Sequence, residues 1–348
     1  MLALVAFAAG APAARGATRS LPREFFGIVP QGKLAQPDYD RMRGVVRTLR
    51  IPIFWYQAEP RPGEYRFAEL DEAITGAAQA GIRVLPFVYG SPSWVSRDSA
   101  VPPLGSPAAQ HAWSGFLRQL VRRYGPHGDI WEGRESKLPI RRWQIWNEPN
   151  FLLFWRPRPS PRDYARLLRA SARAIRDEDP RATIVTAGIA PVEAGMRPWN
   201  FLRRMYEVPG VRGDFDVVGL HPYAPYVHWV GQQVELVRQV MAEAGDGGTP
   251  LLLTELGVAS GGRYPNAFDK GPGGQATYVR RALRLLIAKR RAWHLAGVDW
   301  FTWQDGSAPD PHCVFCEYGG LLDATGAPKP AWWVFRRAVI GARASAVR

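Results

Sequence analysis

Two glutamates in this sequence each follow an apolar run that is typical of a buried β-strand. Glu148 follows the run RWQIWN at 142–147, and Glu255 follows PLLLT at 250–254. Aromatic and β-branched residues favour strands, and Pro149 ends the first run because it cannot donate to a sheet ladder. Such a pair can hydrolyse a glycosidic bond, with one carboxylic acid and one carboxylate. The alternative is that both form salt bridges at the rim of a sheet, since an unpaired buried carboxylate is costly.

Eight strand-like runs alternate with helix-like runs along the chain, without an internal low-complexity linker. Helical spacing or helix-start signals occur at 37–44, 70–81, 106–124, from 161, 275–292 and from 329. This alternation predicts an α/β fold, a single (β/α)8 TIM barrel whose working face lies at the carboxyl ends of the strands. The strand runs are at 25–29, 48–52, 83–88, 142–148, 183–187, 217–223, 250–255 and 298–303.

Three further residues fall near the predicted working face. Arg50 stands inside an apolar run, and a buried guanidinium calls for a carboxylate partner. Asn147 precedes Glu148 and is placed to hydrogen-bond the 2-hydroxyl of a sugar, a contact that strengthens in the transition state. Trp94 follows the third strand run, where it either walls a sugar site or anchors its loop.

The motifs around both glutamates resemble glycoside hydrolase clan A, the retaining enzymes built on a (β/α)8 barrel. Trp-Asn-Glu-Pro at 146–149 resembles the clan's acid/base signature at the end of strand 4, and Thr254-Glu255 resembles its nucleophile at the end of strand 7. The resemblance covers roughly residues 25–340. It implies that Glu148 is the acid/base and Glu255 the nucleophile, with their carboxyl groups about 5 to 5.5 Å apart. It implies no metal or organic cofactor.

Other site residues are implied by the same resemblance. Arg50 in Arg-Ile-Pro resembles the cellulase-like members, whose Arg hydrogen-bonds the nucleophile; a structural ion pair is the alternative. His221-Pro222-Tyr223 resembles the β-xylosidase and iduronidase family, whose Tyr hydrogen-bonds the nucleophile; core packing is the alternative for both His221 and Tyr223. Trp303, at the end of the eighth strand run, matches the Trp that stacks under the cleaved sugar. Because the patterns come from different families, neither transfers a substrate.

The composition, 46% hydrophobic and 22% charged, is that of an ordinary soluble globular protein. The formal net charge is +14, and only five of the 45 basic residues are Lys. Without a long basic run interleaved with aromatics, nucleic acid is not a predicted partner. An oligo- or polysaccharide is the predicted partner, and an anionic glycan is one candidate. Five arginines in loops after strands 2, 3, 4 and 7 favour that candidate: Arg61, Arg97, Arg156, Arg158 and Arg263.

Residues 1–20 resemble a signal peptide, with an apolar run at 2–9 followed by small residues. They lack the basic n-region of a complete signal peptide, which a truncated start would explain. No later run is long enough to span a bilayer. We therefore predict a secreted or cell-surface protein whose catalytic domain occupies residues 21–348.

The only cysteines, Cys313 and Cys316, stand three residues apart in a late loop. Zinc would need about four ligands, and His312 is the only nearby imidazole. Haem attachment would need His where Glu317 stands. A local disulfide is favoured in an exported chain.

Two other functions are compatible with these residues. A transglycosylase uses the same groups and differs only in its acceptor. A barrel that only binds glycans would keep an aromatic cleft but would usually lack one of Glu148, Glu255 or Asn147, and all three are present.

Overall fold

Eight parallel strands form the centre of the molecule, as the alternation of runs predicted. The computed structural model describes residues 21–262, 266–306, 313 and 315–347. The strands within these residues are β1 Phe26–Val29, β2 Thr48–Phe54, β3 Arg83–Tyr89, β4 Arg142–Ile145, β5 Thr183–Thr186, β6 Val218–Leu220, β7 Leu251–Leu256 and β8 Leu295–Phe301.

The sheet closes on itself. Its strand order is β5-β4-β3-β2-β1-β8-β7-β6, so β8 returns to pair with β1. The remaining gap, between β5 and β6, is bridged by the parallel pairs Val185 with Val217 and Ile189 with Leu220. The fold is therefore a single (β/α)8 barrel, and the carboxyl ends of all eight strands meet at one mouth.

Helices surround the barrel, and two of them begin with the same local signal. The side-chain oxygens of Ser106 and Ser160 each accept a backbone N–H three residues on, and Pro follows each serine at the first helical position. In the described residues the α-helices are α1 Gln36–Met42, α2 Trp55–Ala58, α3 Ala68–Gln79, α4 Pro107–Tyr124, α5 Pro161–Glu178, α6 Pro198–Tyr206, α7 Val227–Glu243, α8 Gly271–Lys289 and α9 Pro330–Val347, with short 3-10 helices at Asp129–Trp131, Val211–Asp214 and Cys316–Tyr318.

The described residues form three buried clusters, the smallest of which contains Val29, Phe301 and Cys316. Leu85, Val185, Val217 and Leu252 fill the inside of the barrel as one cluster, and a larger cluster lies between the strands and the helices. None of the described helices is both long and apolar enough to cross a membrane. The predicted signal peptide, residues 1–20, lies outside the described residues.

Two local predictions have clear outcomes. The fourth strand ends at Ile145 rather than at Glu148, because Trp146 leaves the extended conformation with φ 70°. Cys313 and Cys316 form the expected disulfide, with their Cα atoms 5.4 Å apart. His312, the imidazole weighed for zinc, lies outside the described residues.

Candidate active site

The exit of β4 turns the chain sharply toward the centre of the barrel mouth. Trp146 and Glu148 both have positive φ, 70° and 39°, in a region that costs side-chain-bearing residues of order 1 to 3 kcal/mol each. Neighbours hold this conformation: the Trp146 N–H donates to Val88 O at 2.9 Å, and the Glu148 N–H donates to Gly188 O at 3.1 Å. The strained turn re-aims the Glu148 carboxyl group, which alternation along a regular strand would not do.

Arg50 connects the two strands that carry the glutamates. Its side chain, fully buried on β2, donates to Gln144 Oε1 at 2.6 Å, Glu255 Oε1 at 2.5 Å and Asn147 Oδ1 at 2.9 Å. The guanidinium also lies 3.9 Å from the centroid of the Phe87 ring. Its planar fork suits several acceptors at once, which an ammonium group could not match.

Glu255, at the end of β7, has both oxygens engaged. Arg50 donates to Oε1, and the Tyr223 hydroxyl donates to Oε2 at 2.6 Å. Burial and the nearby Glu255 charge raise the pKa of Tyr223 well above its usual range, so the hydroxyl remains a donor at working pH. The two donors predicted for Glu255 are thus both in contact with it.

The orientation of Asn147 follows from its contact with Arg50. Because a guanidinium only donates, the atom that faces it must be the amide oxygen of Asn147. The amide nitrogen is left to donate elsewhere. A sugar hydroxyl is a suitable acceptor for it.

Glu148 is in contact with the buried ring of His221, Nδ1 to Oε1 at 2.7 Å. Burial, and then the Arg50 charge, lower the pKa of His221 well below its usual range, so the ring is neutral. A neutral ring can donate to a carboxylate or accept from a carboxylic acid at this atom. Gly188 makes the arrangement possible, because a Cβ there would lie 1.9 Å from His221 Nε2.

The two glutamates are close and differ in environment. One oxygen of each lies within 4.8 Å of the other. Burial, and then the charge of Glu255, raise the pKa of Glu148 well above its usual range, although Arg50 opposes this. Glu148 is therefore the group that holds a proton.

Glu148, His221 and Glu255 are also close enough to share a metal ion. However, both oxygens of Glu255 already accept from Arg50 and Tyr223, and His221 Nδ1 faces Glu148 directly. A cation would have to displace these contacts and sit beside a guanidinium. The donor set does not fit a resident metal.

The placement of Trp303 requires a correction. Its side chain is 1% exposed, donates from Nε1 to Asp38 Oδ1 at 2.9 Å and packs edge-on against Trp332. It has no face to offer a sugar. Phe301, two positions earlier at the end of β8, lines the same cavity as Glu255. The chain leaves β8 after Phe301, so the Trp303 side chain packs against α9 instead of facing the barrel mouth.

The structure favours the anchoring role for Trp94. Its indole N–H donates to Glu59 O at 3.1 Å, and its ring packs edge-on against Trp55. Among the arginines weighed for an anionic substrate, Arg263 lies outside the described residues. The other four are exposed and line neither the cavity beside Trp303 nor the cavity beside Glu255: Arg61, Arg97, Arg156 and Arg158.

Sequence reasoning missed several residues that shape the site. Gln144 accepts from Arg50 and donates to Thr254 Oγ1 at 3.2 Å, which ties β2, β4 and β7 together. A polar residue inside the aromatic run of β4 was the available signal. Asp299, at 2% exposure, has an oxygen without a hydrogen-bond partner in the described residues, and burial raises its pKa to about 8. An acid inside the run of β8 was the corresponding signal.

Fold and site together define a (β/α)8 barrel with two neighbouring buried glutamates, one in the turn after β4 and one near the end of β7. The sequence matches no family model and no curated protein. Its fold does match solved structures, among them a family 39 glycoside hydrolase from Bacteroides cellulosilyticus WH2, at 18% identity and TM-score 0.67, over 93% of this chain and 64% of that one. A monomeric β-xylosidase from Caulobacter crescentus CB15 is similar at 17% identity and TM-score 0.67, over 92% of this chain and 69% of that one.

A third similar structure is the GH5_18 protein from Streptomyces cattleya in complex with GlcNAc, at 16% identity and TM-score 0.68, over 94% of this chain and 81% of that one. Families 39 and 5 of the glycoside hydrolases both belong to the clan that the motifs around Glu148 and Glu255 indicated. At such identities the similarity establishes the fold. The activity has to be argued from the site.

Proposed function

We propose that this protein is a retaining glycoside hydrolase that cleaves β-linked bonds in an oligo- or polysaccharide through Glu148 and Glu255. The observation that carries the proposal is the separation of the two carboxyl groups, with oxygens within 4.8 Å. Retaining enzymes hold their two carboxyl groups about 5 to 5.5 Å apart, whereas inverting enzymes leave about 6.5 to 9.5 Å for a water molecule. An approach of less than 4.8 Å between single oxygens supports the closer arrangement. The similarity of the fold to glycoside hydrolases supports the broader part of the proposal, that the protein is a glycosidase.

In the first step, Glu255 attacks the anomeric carbon and forms a glycosyl ester. Arg50 and Tyr223 hold its two oxygens in place for the attack. Glu148 donates its proton to the glycosidic oxygen as the bond to the leaving group breaks. Asn147 would hydrogen-bond the sugar 2-hydroxyl as charge develops on the ring.

In the second step, water replaces the ester. Once Glu255 is esterified, its negative charge no longer raises the pKa of Glu148, so Glu148 can remain ionised and accept a proton from water. Glu255 leaves as a carboxylate, and the hydroxyl is added on the face from which the aglycone left. The sugar therefore keeps its anomeric configuration.

A survey of aryl β-glycosides and of plant and bacterial polysaccharides, with products followed by proton NMR, tests this proposal. The first product anomer should be β, before mutarotation. Release of the α anomer would show inversion. Transfer of the sugar to an added alcohol without free sugar would indicate a transglycosylase, and binding without turnover would indicate a glycan-binding barrel.

A further inference from the structure

The disulfide between Cys313 and Cys316 lies close to Tyr223, the residue whose hydroxyl donates to Glu255. Both cysteines and Tyr223 belong to the same small cluster of apolar side chains around Phe301, which is separate from the main core. The two-step mechanism uses neither cysteine. The disulfide is nevertheless in a position to act on a residue that this mechanism requires.

Phe315, which stands between the two cysteines, connects the disulfide to Tyr223. The ring centroids of Phe315 and Tyr223 lie 5.0 Å apart, with the ring planes inclined by 56°. The rings of His221 and Phe301 are also near Tyr223, each at 6.1 Å. Among the described residues, Phe315 is therefore the closest aromatic neighbour of the Tyr223 ring, at a distance where aromatic pairs attract each other.

Two kinds of contact hold Phe315 in place. Its ring stacks on that of Phe268 with centroids 4.9 Å apart, and it meets the Phe301 ring edge-on at 6.2 Å. The disulfide joins the backbone on the two sides of Phe315. Its second cysteine begins the 3-10 helix Cys316–Tyr318, which is fastened to the barrel because the Ser260 N–H donates to the last carbonyl of this helix at 2.9 Å. The disulfide thus ties a mobile type of structure, a loop, to a fixed one.

The hydrogen bond from Tyr223 to Glu255 depends on where the tyrosine ring lies. The Tyr223 side chain is only half-buried, so the surrounding packing does not enclose it on every side. A rotation of the ring moves the hydroxyl away from Glu255 Oε2, and hydrogen bonds weaken steeply as their angle departs from linear. Contacts on the ring therefore contribute to keeping the hydroxyl in place.

We propose that Phe315 is a positioning residue, which packs against the Tyr223 ring and keeps its hydroxyl on Glu255. The disulfide between Cys313 and Cys316 in turn holds Phe315, so the rate of the second step depends on whether this bond is intact. This inference rests on the proposed glycosidase function.

Phe315→Ala tests the role of the ring. On a dinitrophenyl glycoside, for which we expect breakdown of the ester to limit turnover, kcat should fall by roughly 2- to 10-fold, the range that a single aromatic pair is worth. KM should fall with kcat because the intermediate accumulates, so kcat/KM should change little. Phe67→Ala is the matched control, since Phe67 is also half-buried but packs against Tyr65 and Tyr124, and it should leave kcat and KM unchanged.

A second pair of measurements separates positioning from a general loss of stability. In a Tyr223→Phe background, Phe315→Ala should cause no further loss of kcat, because its effect acts through the hydroxyl that is already missing. Thermal unfolding checks that each variant is folded.

Reduction tests the role of the disulfide in the wild-type protein. A phosphine reductant should lower kcat by a factor similar to that of Phe315→Ala, and reoxidation should restore it. Because Cys313 and Cys316 are the only cysteines, the reductant opens this bond alone, and thiol titration shows when it is open. The double variant Cys313→Ser/Cys316→Ser should start at the lower kcat and be insensitive to the reductant.

Three results would overturn the inference while the glycosidase function stands. These are equal losses from Phe315→Ala with and without the Tyr223 hydroxyl, a fall in kcat/KM as large as the fall in kcat, and an unchanged kcat once the disulfide is open. If the wild-type protein cleaves no glycoside at all, the proposed function fails and the inference fails with it.

Discussion

Tyr223→Phe should slow the breakdown of the glycosyl-enzyme more than its formation. The substitution removes the hydroxyl that donates to Glu255 Oε2 at 2.6 Å and changes little else in the packing against Phe301 and Phe315. In the first step Glu255 loses its charge, so this hydrogen bond weakens. In the second step the carboxylate charge returns, and the hydroxyl stabilises it as it develops.

The expected size of the effect follows from the contact. A hydrogen bond to a charged group contributes about 1.5 to 3 kcal/mol, which corresponds to roughly a 10- to 150-fold change in rate. On a dinitrophenyl glycoside, for which we expect breakdown of the ester to limit turnover, kcat should fall by that factor. KM should fall with it, because the intermediate accumulates.

Tyr278→Phe provides the control for removal of a buried hydroxyl. Tyr278 donates to Ala224 O at 2.7 Å, away from the glutamates. Its loss should lower the free energy of unfolding by about 1 kcal/mol and leave kcat unchanged. The reasoning is refuted if Tyr223→Phe lowers kcat/KM as strongly as kcat, or if both variants behave alike.

Three further predictions test other features of the site. Gly188→Ala should push the His221 ring away from Glu148, cost about 1 to 3 kcal/mol of stability and slow substrates with poor leaving groups most; equal losses for all leaving groups would argue against it. Asp299→Asn should be as stable as the wild type near pH 4. The folded-state pKa of Asp299, about 8, lies above its ordinary value of 3.8, so the wild type loses stability as pH rises between these values and the variant does not. Denaturant titrations above pH 8 should show the variant more stable by an amount on the order of 5 kcal/mol, and a difference independent of pH would contradict this. If the exposed arginines attract an anionic glycan from a distance, kcat/KM on an acidic polymer should fall steeply with salt, while neutral substrates show little change; salt-independent rates on both would rule it out.

Much of the fold was predictable because hydrophobic periodicity and chain order constrain it strongly. Strand runs such as 48–52 and 83–88 fall within two residues of β2 and β3 at each end. The helices α6 and α7 were not predicted individually, and the short helix α2 was missed. The amphipathic pattern of α6 was an available signal that was not used. The four residues of α2 are too few to show a helical period.

The site was predictable where a residue type implied its own partner. A guanidinium in an apolar run implied a carboxylate, and Arg50 indeed contacts Glu255. The prediction for Trp303 was wrong for the opposite reason, because tryptophan suits a buried core as well as it suits a sugar site. Trp303 stands two residues beyond the end of β8, where the side chain is buried. The turn at Glu148 could not be predicted either, because its positive φ is imposed by surrounding contacts rather than by its own residue type.

Azide rescue tests the assignment of the two glutamates most directly. Glu148→Ala should retain activity on an activated aryl β-glycoside and, with azide, give the β-glycosyl azide, because azide enters the space of the missing base and attacks the intact ester. Glu255→Ala should be inactive without azide and give the α-glycosyl azide with it, because azide then replaces the nucleophile. The anomers are distinguished by proton NMR. The opposite stereochemistry in the two variants would reverse the roles of Glu148 and Glu255, and rescue of neither would contradict the double-displacement mechanism.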